Sequence, residues 1–296
     1  MRRIPFTAAA VSLLAVFWAA PAVADWPIFS VDATAPWQIR HKTYHTLESD
    51  VESQGGKFAI TETALLLKKE YKIEKRLPVE LGWSIKNFAV EDSSPVDLPA
   101  SLQSKGMTLG AKFPIPYVKH PNFFLGVDAG AFFQTAKDHA FHSAAFRSKN
   151  RIYAIYRPED RLTAVAGVMY RLDYEDGSLM PILGLKYEFN DHWSLNLLSD
   201  EPFIAYEVND RTRWKLEFGG LGDEFEVTEG PRQGDIVKTG GVRLGLGLEH
   251  KLHQNVALTA SVGWSFNRKY EYLTGARGKV VPEDALYAGY RVAINF

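Results

Sequence analysis

Cysteine is absent from the 296 residues. That removes disulfides, thiolate metal sites and a lipid-modified N-terminal cysteine together. An excess of one charge is lacking too, since 34 Lys and Arg stand against 35 Asp and Glu, for a formal net charge of −1. A nucleic-acid partner wants a basic face, so none is expected. Beyond the N-terminal segment no apolar run approaches the roughly 20 residues that a helix needs to span a bilayer. Helix-length amphipathic segments, internal duplications and low-complexity tracts are missing as well. A chain without these devices must close its fold by other means.

The first residues have the build of an export signal. Arg2 and Arg3 supply a positive start, residues 8–18 an apolar core too short to span, and Ala22-Val23-Ala24 a small-x-small cleavage site. Pro21 interrupts the core before that site. Residues 1–24 are therefore assigned as a signal peptide and residues 25–296 as a single unit.

What fills that unit is alternation. Val256, Leu258, Ala260, Val262, Trp264 and Phe266 are bulky or apolar, and the residues between them are Ala, Thr, Ser, Gly and Ser. Leu162, Ala164, Ala166, Val168, Tyr170 and Leu172 repeat the pattern, as do Val242 to Glu249, residues 77–85 and residues 107–115. Successive side chains of a strand point to opposite faces, so each segment has one apolar face and one polar or small face. A soluble sandwich buries the apolar face, whereas a membrane barrel turns it toward lipid.

Length and punctuation favour the barrel. Many segments run to about 10 residues or more, as a tilted membrane-crossing strand requires. Aromatics such as Tyr71, Phe113, Phe123, Tyr187, Trp193 and Trp214 recur beside turns, where an amphipathic ring suits the headgroup level. Short turns at 73–76, 118–121, 158–160, 190–192, 209–212 and 253–255 alternate with longer polar stretches near 47–56, 92–105, 137–149, 228–236 and 273–284. Ser199 to Pro202 breaks the scheme, being a tight connection where a long loop is due. The expected fold is all-β, an antiparallel transmembrane β-barrel of 12–14 strands, with the segments around Ile152 and Phe203 as the short, doubtful members.

The chain stops at Tyr287-Ala288-Gly289-Tyr290-Arg291-Val292-Ala293-Ile294-Asn295-Phe296. Tyr290, Val292, Ile294 and Phe296 share a face, and the last residue is aromatic. This resembles the assembly signal of bacterial outer-membrane proteins. It implies the lipid bilayer and the barrel-insertion machinery as partners and the outer membrane of a Gram-negative bacterium as location. Residues 181–187, 190–195, 205–207 and 214–216 are, more broadly, similar to a family of outer-membrane β-barrels known as a domain of unknown function. That resemblance implies a fold and a location, not an activity.

Chemistry is sparse. His139, His142 and Ser143 in Asp138-His139-Ala140-Phe141-His142-Ser143 would suit a membrane-embedded lipid hydrolase only if His and Ser came within hydrogen-bond reach. The same His pair with Asp138 falls short of a metal ligand set. No catalytic, cofactor or metal residue is assigned. The charged face says more: Lys112, Asp128, Arg171, Lys186, Glu188, Lys215, Glu217, Arg243 and Arg291 are expected to line the lumen. Their mixed signs specify no ion class. Interior glycines such as Gly126, Gly184 and Gly245 would leave room, or make space for large neighbours. The expected function is a narrow channel or porin for small solutes. A closed structural or surface-binding barrel working through its external loops is the alternative.

Overall fold

A computed structural model describes residues 37–52, 55–73, 77–96, 98–115, 122–136, 143–175, 179–199, 201–274 and 278–296. The expected signal segment, His139 and His142 lie outside the described residues. The first strands are β1 (Trp37–Asp50), β2 (Lys57–Ile73), β3 (Leu77–Asp92), β4 (Ser101–Pro114) and β5 (Phe123–Ala136). After a single 3-10 turn, Ser143–Ala145, come β6 (Phe146–Glu159), β7 (Leu162–Leu172), β8 (Leu179–Glu188), β9 (Trp193–Asn196), β10 (Phe203–Asn209) and β11 (Thr212–Leu221). The remainder is β12 (Glu224–Val227), β13 (Ile236–His253), β14 (Val256–Tyr272), β15 (Lys279–Val280) and β16 (Ala285–Asn295).

Among the described residues these strands close a 14-strand antiparallel barrel, in which β12 and β15 are extra pieces. The segment around Ile152 is no short strand: it belongs to the 14-residue β6. Closure joins β1 to β16 with Gln38 opposite Asn295. Trp37 and Phe296 exchange backbone hydrogen bonds of 2.8 and 3.0 Å and stack their rings 6.4 Å apart. The rim bearing Phe296 is called lower and the opposite rim upper.

The alternation resolves as the barrel requires. Leu109, Ile152, Leu183, Leu246, Val262 and Trp264 stand exposed outside, while Glu80, Asp128, Arg151, Lys215, Glu217 and Arg243 are buried inside. An exterior this apolar suits hydrocarbon rather than water. Aromatic pairs girdle its lower edge: Phe123 with Tyr156 at 5.3 Å, Tyr187 with Phe189 at 4.9 Å, and Trp193 with Tyr206 at 5.0 Å. The interior glycines are where neighbours fill space. A Cβ at Gly126 would strike the Tyr153 ring, and one at Gly245 the Tyr287 hydroxyl.

The barrel narrows toward its upper end. β5 pairs with β6 up to Phe133 opposite Phe146, then accepts β12 in parallel, with Thr135 opposite Glu226. On the far side, β13 leaves β11 at Gly241 and pairs β12 instead, Lys238 opposite Glu224. A bridge between Val51 and Pro282 ties the end of β1 to the segment after β15. A smaller ring of β1 to β5, β12, β13, β14 and β15 thus closes above the large one, leaving β6 to β11 outside it.

Its inside is dry. Phe58, Ile60, Phe88, Val90, Leu102, Phe225, Val227, Val237, Tyr270 and Tyr272 form one buried cluster. Phe58 meets Tyr270 at 4.6 Å, and Phe225 meets Phe88 edge-on at 5.8 Å. Asp92 holds the β3–β4 loop over this core, accepting from the backbone and hydroxyl of Ser94 (2.9 Å each) and from the Leu98 amide (3.4 Å). Val96 and Leu98 thereby drop into the cluster. Gly230 and Gly234, with φ of 86° and 89°, make the turn after β12, a backbone region costly for other residues.

The Ser199–Pro202 exception has a structural answer. β9 has only 4 residues and β10 only 7. At roughly 3.3 Å per residue, β9 climbs about half of a 25 Å apolar band. The described residues between β9 and β10 turn back midway up the wall, with Leu198 and Glu201 inward, and form no external loop.

Candidate functional site

The interior divides into levels. Lowest is a cavity of about 570 Å³ reaching from the lower rim, with Arg40, Lys186, Glu188, Asn196, Glu201, Arg213, Lys215, Glu249 and Arg291 on its wall. Strand alternation turns the strand residues among them inward, and Leu195 and Phe203 add apolar patches to the same wall. Lys186 and Glu188 pair at 3.6 Å. Lys215 meets Glu249 at 2.5 Å and Glu217 at 3.9 Å.

An ionic partition roofs this cavity. Glu201, carried across the lumen by the inward β9–β10 connection, accepts from Lys42 at 3.0 Å and from the Tyr44 hydroxyl at 2.8 Å, and pairs with Arg291. Arg291 also reaches Glu217 at 3.4 Å, to which Ser261 donates at 2.8 Å. Glu62 joins Lys42 at 3.4 Å to Arg243 at 2.8 Å. Charges buried in such surroundings persist only when paired and hydrogen-bonded. Lys42, Glu62, Glu201, Glu217 and Arg291 each have more than one partner.

The inner wall of β5 to β8 is different in kind. Phe124, Ile155 and Val165 form a first cross-strand row, Tyr153 and Ile182 the next, and Met169 and Met180 stand above them, with Leu198 of the β9–β10 connection packed against this wall at the level of Gly184. A Cβ at Gly184 would collide with Leu198, so that glycine seats the connection. An apolar track on a lumen face reverses the usual polar lining.

At the top of the same side a polar network packs β12 against β6 and β7. Asp223 accepts from Lys149 at 2.9 Å and lies 4.0 Å from Lys86. Arg147 approaches Glu226 at 3.5 Å. The Tyr174 hydroxyl donates to Gln134 at 2.9 Å, and Arg171 stacks 4.5 Å over the Tyr174 ring. Burial, reinforced by Asp223 beside it, holds the Tyr174 phenol well above its ordinary range and therefore neutral. Burial also raises the Glu224 carboxyl, against the opposing pull of the 2.8 Å bond from the Glu175 amide and of Arg171 and Arg147.

The residues singled out from the sequence are thus spread over several levels. Lys186, Glu188, Lys215 and Arg291 share the lower cavity. Glu217 and Arg243 belong to the partition. Asp128 is buried away from both, held by Arg151 at 3.1 Å and the Tyr153 hydroxyl at 3.1 Å, with Lys112 within electrostatic reach. Arg171 sits in the upper network. Tyr290, Val292 and Ile294 pair with β1 and β14 on the outer face. Glu201, Lys42, Tyr44, Glu62 and Asp223 escaped the sequence reading. Only the odd tight connection at 199–202 pointed toward the first of them. Ser143 opens the 3-10 turn, but without His139 and His142 the hydrolase and metal readings find no geometry. Among the described residues no cluster of three His, Cys, Asp or Glu forms a metal site.

No family model matches the chain, and no curated protein matches it. Solved structures similar to it include an outer-membrane channel from Pseudomonas putida F1, with 13% identity, covering 90% of this chain and 100% of that one at a TM-score of 0.46. A Pseudomonas aeruginosa FadL homologue has 11% identity, covering 94% and 96% at 0.46. The porin KdgM has 8% identity, covering 87% and 99% at 0.35. Identities this low and TM-scores under 0.5 say nothing of cargo.

Proposed function

We propose that this chain is a narrow outer-membrane channel for small solutes, with the rim bearing Phe296 toward the periplasm. The carrying observation is the cavity of about 570 Å³ with charged walls, enclosed by a barrel whose outside is apolar. A purely structural barrel of this girth would gain by filling that space, because an interior without voids keeps its dispersion contacts. In this reading solutes meet Lys186, Glu188, Lys215 and Arg291 first, then the partition around Glu201. Glu217 and Arg243 belong to that partition, and Lys112, Asp128 and Arg171 line the levels beyond. Mixed signs make the passage weakly selective.

Residues 1–24 supply export in the same proposal. Tyr290, Val292, Ile294 and Phe296 present the terminal strand to the barrel-insertion machinery. Planar-bilayer recording of the refolded chain tests the channel: stepwise currents are expected, and their absence would overturn it. A second reading, a closed barrel acting through its upper surface, is favoured by the dry upper ring. It predicts no current under any condition.

A further inference from the structure

We propose that neutral, apolar small molecules pass sideways between the interior and the surrounding lipid, through a window in the wall between β8 and β11. The proposal rests on the channel reading and names its cargo class. The wall is incomplete here. β8 pairs with β9 only from Glu188 to Lys186, and the last bond on that side runs from the Leu197 amide to the Leu185 carbonyl at 2.7 Å. On β11, the last bond toward β10 runs from the Phe218 amide to the Pro202 carbonyl at 2.8 Å. Above these points, among the described residues, β8 and β11 have no strand between them. Two missing strands at about 4.8 Å spacing put their edges some 14 Å apart.

Each border of the window is built. The sill is the β9–β10 connection, with Leu198 turned inward over Gly184. The lintel is the contact of the β7–β8 loop with the β11–β12 connection: the Glu175 amide on Glu224, and the Tyr174 hydroxyl 3.4 Å from Asp223. Polar backbone groups facing lipid are costly, and the β8 edge reduces that cost. Leu185 directs its carbonyl toward β9, and alternation directs residues 183, 181 and 179 the same way. Residue 181 is proline, which has no N–H to leave orphaned. The same proline makes this edge a poor template for an added strand from another protein.

Between sill and lintel the flanking side chains are apolar. Leu179 and Leu183, at 64% and 62% exposure, stand on the lipid side with β7 as their neighbour on one flank only. Behind them lie Met180, Met169, Ile182 and Leu198. Methionine is unbranched and polarisable, and its side chain swings aside more readily than a β-branched one. With β12 docked, the apolar ring closes the axial route above, and the lintel is charged. The one path out of the apolar track that meets no charge is therefore lateral.

The chain has no cysteine, so single Cys variants of the full protein in liposomes report access cleanly. Met180→Cys is expected to react with benzyl methanethiosulfonate, an apolar aromatic reagent that partitions into the bilayer. It should react about tenfold faster than with the cationic trimethylammonium-ethyl analogue, since charge is disfavoured in an apolar opening. Lys186→Cys, on the cavity wall, should show the reverse order. Adding Gly220→Trp, on the outer side of the β11 edge, should slow the benzyl reaction of Met180→Cys about tenfold. Equal rates with both reagents, or no benzyl reaction in folded protein whose unfolded form does react, would overturn the window. Bilayer conductance is read on the same preparations. Currents without benzyl access remove the window and keep the channel, whereas benzyl access without currents does the opposite.

Discussion

Glu226 pairs in parallel register with Thr135, although the strands β5 and β13 that β12 bridges stand on opposite sides of the large ring. Four residues of β12 therefore decide whether the upper end is open. Phe225, fully buried, is their apolar anchor. Phe225→Ala is expected to weaken docking of this segment by about 3–5 kcal/mol through lost transfer energy and the cavity left behind. Single-channel recording should then show longer or larger openings than the parent. An unchanged current trace would mean that β12 does not obstruct the route.

Glu201 ties the inward connection to β1 and β16. Removing it strands parts of Lys42, Tyr44 and Arg291 in a buried setting, where an unpaired charge costs about 3 kcal/mol or more. Glu201→Ala should lower the thermal midpoint of the gel-mobility shift between folded and unfolded barrel. Glu201→Gln, which keeps two acceptor or donor groups in place, should lose less. Equal losses would point to packing rather than charge.

Glu224 is expected to make closure pH-dependent. Its carboxyl pKa is raised in the docked state, by burial first, so docking favours the protonated form. That contribution is fully present below the pKa of an undocked carboxyl and is lost as pH rises through the raised value. Arg147, Arg171 and Lys238 face the group and oppose the shift without reversing it. Opening frequency should therefore increase from acidic toward neutral pH, and Glu224→Gln should flatten the dependence. A slope that survives in Glu224→Gln would assign it to another group.

Gly245 and Tyr287 interlock, because a side chain at the glycine would enter the tyrosine ring's place. Gly245→Val should cost about 1–3 kcal/mol as overpacking, and the double variant Gly245→Val with Tyr287→Ala should recover part of it. Denaturant titration followed by tryptophan fluorescence would measure both. No recovery would mean that the strain falls on the backbone of Val262 instead.

Deleting Phe296 removes the ring stacked on Trp37 and the last backbone pair of the closing seam. Membrane-inserted protein should fall severalfold, counted by surface labelling of cells, while the variant refolded in detergent keeps its strand content. Normal insertion would detach the terminal aromatic from assembly.

The sequence made the wall of the barrel legible, because period-two alternation in β7, β13 and β14 is a local property that each segment carries alone. The inward faces of Lys215, Arg243 and Arg291 followed from the same period. Glu201 did not follow, since its position depends on β9 stopping after four residues and on partners 159 positions away at Lys42. β12 was hidden for the same reason: Glu224 to Val227 looks like part of a polar loop, and its two pairing strands are joined to it only by the closed fold. Phe58, Phe88, Val237 and Tyr270 lie outside the alternating segments read from the sequence, and nothing local shows that the inward face at their level is dry.

The partner exchange at Thr135 and Lys238 also sets an order of events. The large barrel also closes through β13, β14 and β16, and β12 can dock on both β5 and β13 only once closure has set those strands opposite one another. The cylinder is therefore expected to close with its upper end uncapped, and the 222–235 hairpin to seat last. Protease added during insertion should cut that hairpin early and spare it once assembly is complete. A hairpin protected from the outset would reverse this sequence.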